Sequence, residues 1–198
     1  AKNGIIWSSC SPDFGVQGVV DRFKQIEPKI LITCNYYFYN GKRINILANI
    51  DEILKQIPSI KNTLVFSYNK KEKVNLNKFS DFNEILLNSN TAENFERFDF
   101  NHPIYILYSS GTTGKPKCIT HGAGNVLIEH NKEFILHCDV RNNEKLFYYT
   151  TTGWMMWNWL IGGLATGSSI FLFDGAPVYP KKDILLTYCQ NKKINLFG

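Results

Sequence analysis

The sequence predicts an α/β fold in which helices are layered on largely parallel sheets. Short apolar runs alternate with helix-length segments along most of the 198 residues, which is typical of strand–helix–strand connections. The run Ile104–Tyr108 is apolar on both faces, as expected for a strand buried within a parallel sheet. Hydrophobic residues make up 44% of the chain and charged residues 20%, which is ordinary for a globular protein.

The first quarter of the chain predicts a strand, a helix and a hairpin. GIIWSS, residues 4–9, predicts a strand. Apolar residues at helical spacing predict a helix over Val16–Ile26, and Pro28 ends it before the strand KILIT. Asn40 and Gly41 lie between strand-like residues and predict the tight turn of a β-hairpin.

The rest of the chain continues the alternation. IDEILKQI predicts a helix capped near Asp51, and FSDFNEILLN predicts a short helix that begins near Ser80 or Asp81. A further helix is predicted over about residues 122–137. The remaining predicted elements are the strands TLVFSY, IYILY, KCIT, KLFYYT, SIFLF and INLF, and the helix DILLTYC.

Charge and cysteine usage exclude several classes of protein. The net charge of the chain is +5. The basic residues are scattered along the sequence, so no nucleic-acid-binding surface is predicted. The one tight basic run, Asn69–Lys73, contains a glutamate and is interpreted as a solvated loop. The five cysteines include no CxxC pair, which argues against a disulfide framework or a zinc knuckle and favours a reducing compartment.

An uncharged run, Leu146–Phe173, has the length of a membrane span. Repeated threonine, serine and glycine residues interrupt it, and it ends in the strand-like SIFLF. We therefore predict a buried helix, a turn and a strand, and no contact with a membrane.

The stretch YSSGTTGKPK follows a hydrophobic strand and predicts an anion site. Glycines allow backbone N–H groups to point into a concavity, while hydroxyls and lysines add donors and positive charge. The best-matched ligand is a polyphosphate. The stretch is not a Walker A loop, because only two residues separate its glycines and Pro116 follows Lys115. The residues that carry this prediction are Ser109, Ser110, Gly111, Thr112, Thr113, Gly114, Lys115 and Lys117.

This stretch resembles the phosphate loop of the adenylate-forming superfamily, which includes acyl-CoA synthetases, luciferases and peptide-synthetase adenylation domains. A narrower resemblance, to the acetoacetate–CoA ligases, rests on CSPDFG, RFKQIEPK, YNGK, HPIYILYSSGTTGKPKCITHGAG, KEFILHCD and YYTTTGWMMWNWLIGGLATGSSIFLFDGAP. It covers nearly the whole chain and is weakest over residues 69–101. TTTGWMMWNW is its most discriminating part.

The resemblance implies a reaction and a set of roles. Acetoacetate would be activated with ATP and Mg²⁺ to an acyl-adenylate, and the acyl group would pass to CoA. The glycine loop would hold the ATP phosphates, and Arg22 would contact CoA. Part of the acyl pocket would be formed by Gly153, Trp154, Met155, Met156 and Trp157. From periodicity alone, a core position is favoured for the methionines and tryptophans, and Arg22 is favoured as the exposed arginine of an amphipathic helix.

The resemblance also implies that residues 1–198 are part of a large N-terminal AMP-binding domain of a cytoplasmic enzyme. Its adenine and ribose motifs, and a small C-terminal domain with the catalytic lysine, would lie outside this stretch. We therefore expect the 198-residue chain alone to be inactive.

Three other groups are candidates for a role in chemistry. His130, Glu133 and His137 share a predicted helix face, but without HExxH a packing or surface role is favoured and no metal site is predicted. His121 follows the loop, and either a structural hydrogen bond or proximity to nucleotide fits it. Cys118 has no evident His–Asp partner and is predicted to be a small buried residue.

Three alternatives remain open at this stage. The first is a ligase for another short-chain acid, and the second is a truncated nucleotide-binding module without catalysis. The third and weakest is a membrane-anchored protein that uses Leu146–Phe173.

Overall fold

The computed structural model describes residues 2–69, 78–89, 94–109 and 114–198, which form two compact units. The first unit contains Pro12–Asn94 and Tyr108–Cys118. The second unit contains Ala1–Ser11, Phe95–Leu107 and Ile119–Gly198.

Helices and strands alternate through both units, as the sequence predicts. Every strand pair whose direction is defined is parallel except one hairpin, which confirms the α/β class. In chain order the elements are β1 Trp7–Ser8, α1 Val16–Phe23, β2 Ile30–Cys34, β3 Tyr36–Tyr39, β4 Lys42–Asn45, α2 Leu47–Gln56, β5 Asn62–Phe66, β6 Ser80–Asp81, α3 Phe82–Asn88, β7 Pro103–Ser109, β8 Lys117–Gly122, α4 Ala123–Asn131, a π-helix Lys132–His137, β9 Lys145–Phe147, α5 Met155–Gly162, a 3₁₀ turn Gly163–Thr166, β10 Ser169–Phe171, α6 Ile184–Lys192 and β11 Leu196–Phe197.

A parallel sheet and a hairpin make up the strands of the first unit. The sheet has the order β2-β5-β6, and Ile32 of β2 lies opposite Leu64 of β5. The antiparallel hairpin β3-β4 turns at Asn40 and Gly41, whose φ angles are 49° and 73°. Two successive positive φ angles are what a tight hairpin turn requires, so the predicted Asn-Gly turn is confirmed.

Helix α1 packs through one apolar stripe, and α2 begins earlier than predicted. In α1 the buried residues Val19, Val20 and Phe23 recur at helical spacing. The prediction that α2 is capped near Asp51 is wrong, because α2 begins at Leu47 and no side chain caps its first turn. Asp51 instead lies in the second turn, with its Oδ1 3.7 Å from Nζ of Lys78.

The start of α3 agrees with the sequence. Asp81 is its N-cap, and its Oδ1 accepts hydrogen bonds from the backbone nitrogens of Asn83 at 2.7 Å and Glu84 at 3.3 Å. A carboxylate in this position satisfies N–H groups that have no partner within the helix.

The second unit holds the parallel strands β10-β9-β11 and most of the order β1-β7-β8, in which β1 and β7 are parallel. In the order β1-β7-β8, Trp7 lies opposite Tyr105 in parallel register. In the order β10-β9-β11, Leu146 at the centre lies between Ile170 and Leu196. The first predicted strand is shorter than expected, since β1 contains only Trp7 and Ser8.

A compact apolar cluster forms the core of the second unit. Phe134 and Leu146 are completely buried, and Leu160 of α5 packs with them. The ring centroids of Phe134 and Trp159 are 4.3 Å apart. A Cβ atom on Gly163 would lie 2.5 Å from Cδ1 of Leu146, so the close approach of the 3₁₀ turn to β9 depends on this glycine.

The uncharged run Leu146–Phe173 contains part of β9, then α5, the 3₁₀ turn and β10, as predicted. Within the part of the chain that the structure describes, no helix combines the length and apolar character needed to cross a membrane.

Candidate functional site: the glycine loop and the segment before α5

The glycine loop connects β7 and β8, which are neighbours in one sheet. Ser109 is the last residue of β7 and Lys117 is the first residue of β8. Four of the predicted phosphate-binding residues, Ser110, Gly111, Thr112 and Thr113, lie outside the described residues. The described part of the loop therefore contains Ser109 at one end and Gly114–Lys117 at the other.

Gly114 has a backbone conformation that side chains disfavour. Its φ angle is 138°, in the region that L-residues rarely adopt. A Cβ atom built on it would contact nothing within 4 Å, so the need for glycine comes from the backbone angle and not from crowding.

Lys115 and Lys117 bring two positive charges to the end of the loop. Both residues are exposed. Over residues 2–69, 78–89, 94–109 and 114–198, neither lysine forms an ion pair with an acidic side chain. Their charges are thus not neutralised by the described carboxylates and remain available to an anion.

Arg22, the predicted CoA contact, lies on α1 between two aromatic rings. Its guanidinium carbon is 4.5 Å from the ring centroid of Phe14 and 5.9 Å from that of Tyr108. Its Nη1 donates to the carbonyl oxygen of Gly18 at 2.8 Å. The side chain is held on the helix surface beside Tyr108, the residue that precedes the loop.

Gln25 makes a contact with the loop that sequence reasoning missed. Its Nε2 donates to the carbonyl oxygen of Pro116 at 2.8 Å and to that of Asp21 at 2.6 Å. The partners Gln25 and Pro116 are 91 positions apart in the sequence, and a lone glutamine after a helix gives no signal of such a contact.

The segment before α5 is attached to the N-terminal strand region within the second unit. Ser9 Oγ donates to the carbonyl oxygen of Thr152, and Thr152 Oγ1 donates to that of Cys10 at 3.3 Å. A Cβ atom on Gly153 would lie 2.9 Å from the backbone nitrogen of Ser11. Backbone groups cannot rotate away as a side chain can, so this approach requires glycine.

The predicted pocket residues differ in exposure. Trp154 and Met155 are about half exposed, whereas Met156 and Trp157 are intermediate. The next residue, Asn158, is 8% exposed, and its Nδ2 has no hydrogen-bond partner among the described residues. A buried amide nitrogen without a partner is rare in folded proteins. Asn158 was not predicted as a site residue, and its only sequence signal is a polar side chain inside an uncharged apolar run.

Two histidines after the loop, His121 and His130, have lowered pKa values. Burial lowers the pKa of His121, whose ring lies 4.9 Å from that of Tyr105. Burial also lowers the pKa of His130, and His121 adds to this, while Glu129 and Glu133 act in the opposite direction. His137 Nε2 is 3.9 Å from Glu133 Oε1. The described residues contain no group of three or more histidine, cysteine, aspartate or glutamate side chains arranged for a metal ion.

Cys118 does not lie where the sequence suggested. It is exposed on β8, so the prediction of a buried residue is wrong. Partial burial of its thiol raises its pKa, which disfavours the nucleophilic thiolate.

The chain matches a known family over its whole length. The model of the family described as AMP-binding enzyme matches residues 1–198. Similar curated proteins include "Acetoacetyl-CoA synthetase" of Gallus gallus, 44% identical over 206 residues, and "Acetoacetyl-coenzyme A synthetase" of Rhizobium meliloti (strain 1021), 45% identical over 206 residues. Both alignments cover 100% of this chain and 31% of the relative. "Malonamoyl-CoA synthetase" of Penicillium aethiopicum is 41% identical over 188 residues, covering 90% of this chain and 26% of the relative.

A solved structure shares the fold. "Acetoacetyl-CoA Synthetase from Streptomyces lividans" superimposes with a TM-score of 0.93 at 39% sequence identity, and the match covers 100% of this chain and 30% of that chain. The chain spans about 31% of the length of the first two curated relatives.

Proposed function

Because the chain belongs to the AMP-binding enzyme family, we propose that the whole protein is an acid–thiol ligase that activates acetoacetate with ATP and transfers the acyl group to CoA. A carboxylate oxygen of acetoacetate attacks the α-phosphorus of ATP, and the bond to pyrophosphate breaks. The sulfur of CoA then attacks the carbonyl carbon of the adenylate. The bond to AMP breaks, the thiol proton is released, and acetoacetyl-CoA is formed.

The observation that carries this proposal is the chemistry of the glycine loop. Gly114 has a φ angle of 138°, which other residues rarely adopt, and Lys115 and Lys117 present exposed charges without a described acidic partner. As pyrophosphate leaves, negative charge builds up on it. Fixed amides and lysines stabilise such charge without rearrangement of solvent. We assign the ATP phosphates to Ser109–Lys117, including the four residues outside the described part of the chain.

Mg²⁺ would accompany the ATP phosphates in this proposal. This ion usually keeps several waters and is bound through phosphates and one or two carboxylates. Phosphate oxygens and waters supply most of the ligands in a site of that kind, so no cluster of protein ligands is needed, and a loop hydroxyl such as that of Ser109 would add one more. When bound, Mg²⁺ would neutralise part of the charge on the leaving pyrophosphate.

The names of the relatives and the environment of Asn158 support acetoacetate as the acid. Two relatives are named for acetoacetyl-CoA and one for malonamoyl-CoA. Acetoacetate and malonamate both carry a carbonyl group two bonds from the carboxylate carbon. We assign the acyl group to Gly153–Trp157, and the buried Nδ2 of Asn158 is a suitable donor to that carbonyl oxygen. Malonamate, or another short-chain acid, is therefore the second candidate substrate.

Arg22 is assigned to the phosphates of CoA. Guanidinium has five N–H donors in a planar fork, and the bond to Gly18 uses Nη1. The stacking on Phe14 supports the plane of the group while its other edge stays available. We also assign residues 1–198 to the large N-terminal domain of a cytoplasmic enzyme. The catalytic lysine is assigned to a separate C-terminal domain, and small molecules are the partners.

A product assay tests the proposal. The longest natural polypeptide that contains this sequence is incubated with acetoacetate, Mg²⁺, ATP and CoA. Acetoacetyl-CoA, AMP and pyrophosphate are expected in equal amounts. Products from another acid alone would support the second candidate, ADP with phosphate would contradict the adenylate route, and ATP binding without any product would indicate a non-catalytic nucleotide-binding module.

A further inference from the structure

Residues at and just after the C-terminal end of α1 contact Tyr108, which precedes the glycine loop, and Pro116 at the end of the loop, all within the first unit. At the beginning of the loop, the ring centroids of Tyr108 and Phe23 are 6.4 Å apart, and Arg22 lies over the Tyr108 ring. At the other end, Gln25 Nε2 donates to the carbonyl oxygen of Pro116. Resting on the ATP role proposed above, we propose that Gln25 is a positioning residue that fixes the end of the loop so that it binds ATP without first being ordered.

The hydrogen bonds of Gln25 use its amide nitrogen fully. A carboxamide NH₂ has two donors, and here one reaches Asp21 of the helix and the other reaches Pro116 of the loop. Proline has no backbone N–H, so its carbonyl oxygen is the one backbone polar group through which this residue can be held. Gln25 thereby connects the helix backbone to the residue that separates Lys115 from Lys117.

When both ends of a loop are fixed, less conformational entropy is lost on ligand binding. A loop held at one end only loses more conformational freedom when phosphate binds it, and that loss weakens binding. The lysines on either side of Pro116 are the charged residues at this end, so their position follows the position of its carbonyl group. Because residues 115–117 are held before ATP arrives, the contact acts on the binding of the phosphates and not on the chemical step that follows. Its loss should raise the KM for ATP and leave kcat nearly unchanged.

Two substitutions at Gln25 and one control test this role. Gln25→Ala removes the donor, and Gln25→Glu keeps the shape but places a carboxylate against the carbonyl oxygen of Pro116. Gln17→Ala is the matched control, because Gln17 lies on α1 and its Nε2 likewise donates to Asp21, at 2.7 Å to Oδ1. The measurements are the Kd for MgATP and the melting temperature of the longest natural polypeptide.

We expect Gln25→Ala to raise the Kd for MgATP about two- to tenfold, the range for one hydrogen bond, with a larger rise for Gln25→Glu. Gln17→Ala should leave the Kd unchanged, and all three melting temperatures should stay close to wild type because both glutamines are exposed. Hydrogen exchange of the peptide that contains Lys115 and Lys117 should become faster in the Gln25 variants only. This second readout detects the loop directly and does not depend on catalysis.

The outcomes separate this inference from the proposed function. Unchanged MgATP binding in both Gln25 variants, or an equal loss in Gln17→Ala, would overturn the positioning role. If Gln25→Ala lowers the melting temperature, the Kd for MgATP of the isosteric variant Gln25→Glu decides whether Gln25 has the positioning role. A wild-type protein that binds MgATP but activates no acid would refute the proposed ligase and leave the Gln25 measurement intact. A wild type that does not bind MgATP would refute both.

Discussion

Gly153 lies so close to Ser11 that a Cβ atom on it would be 2.9 Å from the backbone nitrogen of Ser11 and 3.2 Å from Cα of Cys10. Next to this contact, Thr152 forms hydrogen bonds with Ser9 and Cys10. The position of the segment that leads into α5 is thus determined by backbone packing as well as by hydrogen bonds.

Replacing Gly153 with alanine should therefore destabilise the protein. We expect Gly153→Ala to lower the free energy of unfolding by about 1–3 kcal/mol, because the added methyl group must displace backbone atoms. Gly18→Ala is the control, since a methyl group there meets Phe14 Cβ at an ordinary 3.5 Å inside α1. Urea denaturation measures both. Equal stability of Gly153→Ala and wild type would show that the segment moves freely.

Charge at the end of the glycine loop should determine ATP affinity. We expect Lys115→Ala and Lys117→Ala each to raise the Kd for MgATP by about tenfold or more, which is typical for a lost charge-assisted contact. Lys61→Ala is the control, because Lys61 is an exposed lysine whose Nζ donates to the carbonyl oxygen of Pro58 at 3.1 Å. Titration with MgATP at two salt concentrations should show that the Kd depends less on salt in the two loop variants than in the wild type. Loss of affinity in Lys61→Ala to the same extent would indicate a non-specific charge effect.

Asn158 should contribute to selectivity and not to stability. Its buried Nδ2 has no described partner, so Asn158→Leu should leave the free energy of unfolding unchanged or raise it by about 1 kcal/mol. The same change should lower the preference for acetoacetate over butyrate by about tenfold, because butyrate has no carbonyl oxygen to accept the bond. Denaturation and competition assays measure the two effects. A destabilised variant with unchanged selectivity would contradict this role.

His130 should make stability depend on pH. Burial lowers its pKa, so below about pH 6.5, the ordinary value, the unfolded chain binds more protons than the folded one. This contribution to stability is complete above that pH and is lost as the pH falls through the lowered pKa. His121, Glu129 and Glu133 are the charged groups that act on it.

We therefore expect His130→Gln to flatten the decline of stability as the pH falls below about 6.5. His137→Gln, at an exposed position, is the control. Melting temperatures across this range give the comparison. An identical decline in wild type and His130→Gln would assign the pH dependence to other groups.

Local signals in the sequence predicted the fold well where a backbone conformation required particular residues. The Asn40-Gly41 turn needs two positive φ angles, and Asp81 caps α3 with its own carboxylate. The start of α2 was missed because Ile46 precedes it without a side-chain cap, so the nearest acidic residue, Asp51, gave a false signal.

In the candidate site, too, local features could be predicted from the sequence and contacts between distant residues could not. The composition of the glycine loop predicted an anion site. The described part of the loop contains Gly114 with a positive φ angle and two exposed lysines, and phosphate binding there stays a prediction. Contacts between distant parts of the chain could not be predicted. Examples are the contact of Gln25 with Pro116 and that of Gly153 with Ser11. They depend on which backbone atoms the completed fold brings together, and no local pattern encodes that.

Acid-dependent exchange of pyrophosphate into ATP tests the central claim most directly, because it measures adenylation without CoA. The longest natural polypeptide that contains this sequence is assayed with acetoacetate, malonamate, acetate, propionate and 3-hydroxybutyrate. We predict that exchange is fastest with acetoacetate and is slower in Lys115→Ala and Lys117→Ala, in keeping with their weaker MgATP binding. A folded protein that binds ATP and shows no exchange with any of these acids would contradict the proposed ligase.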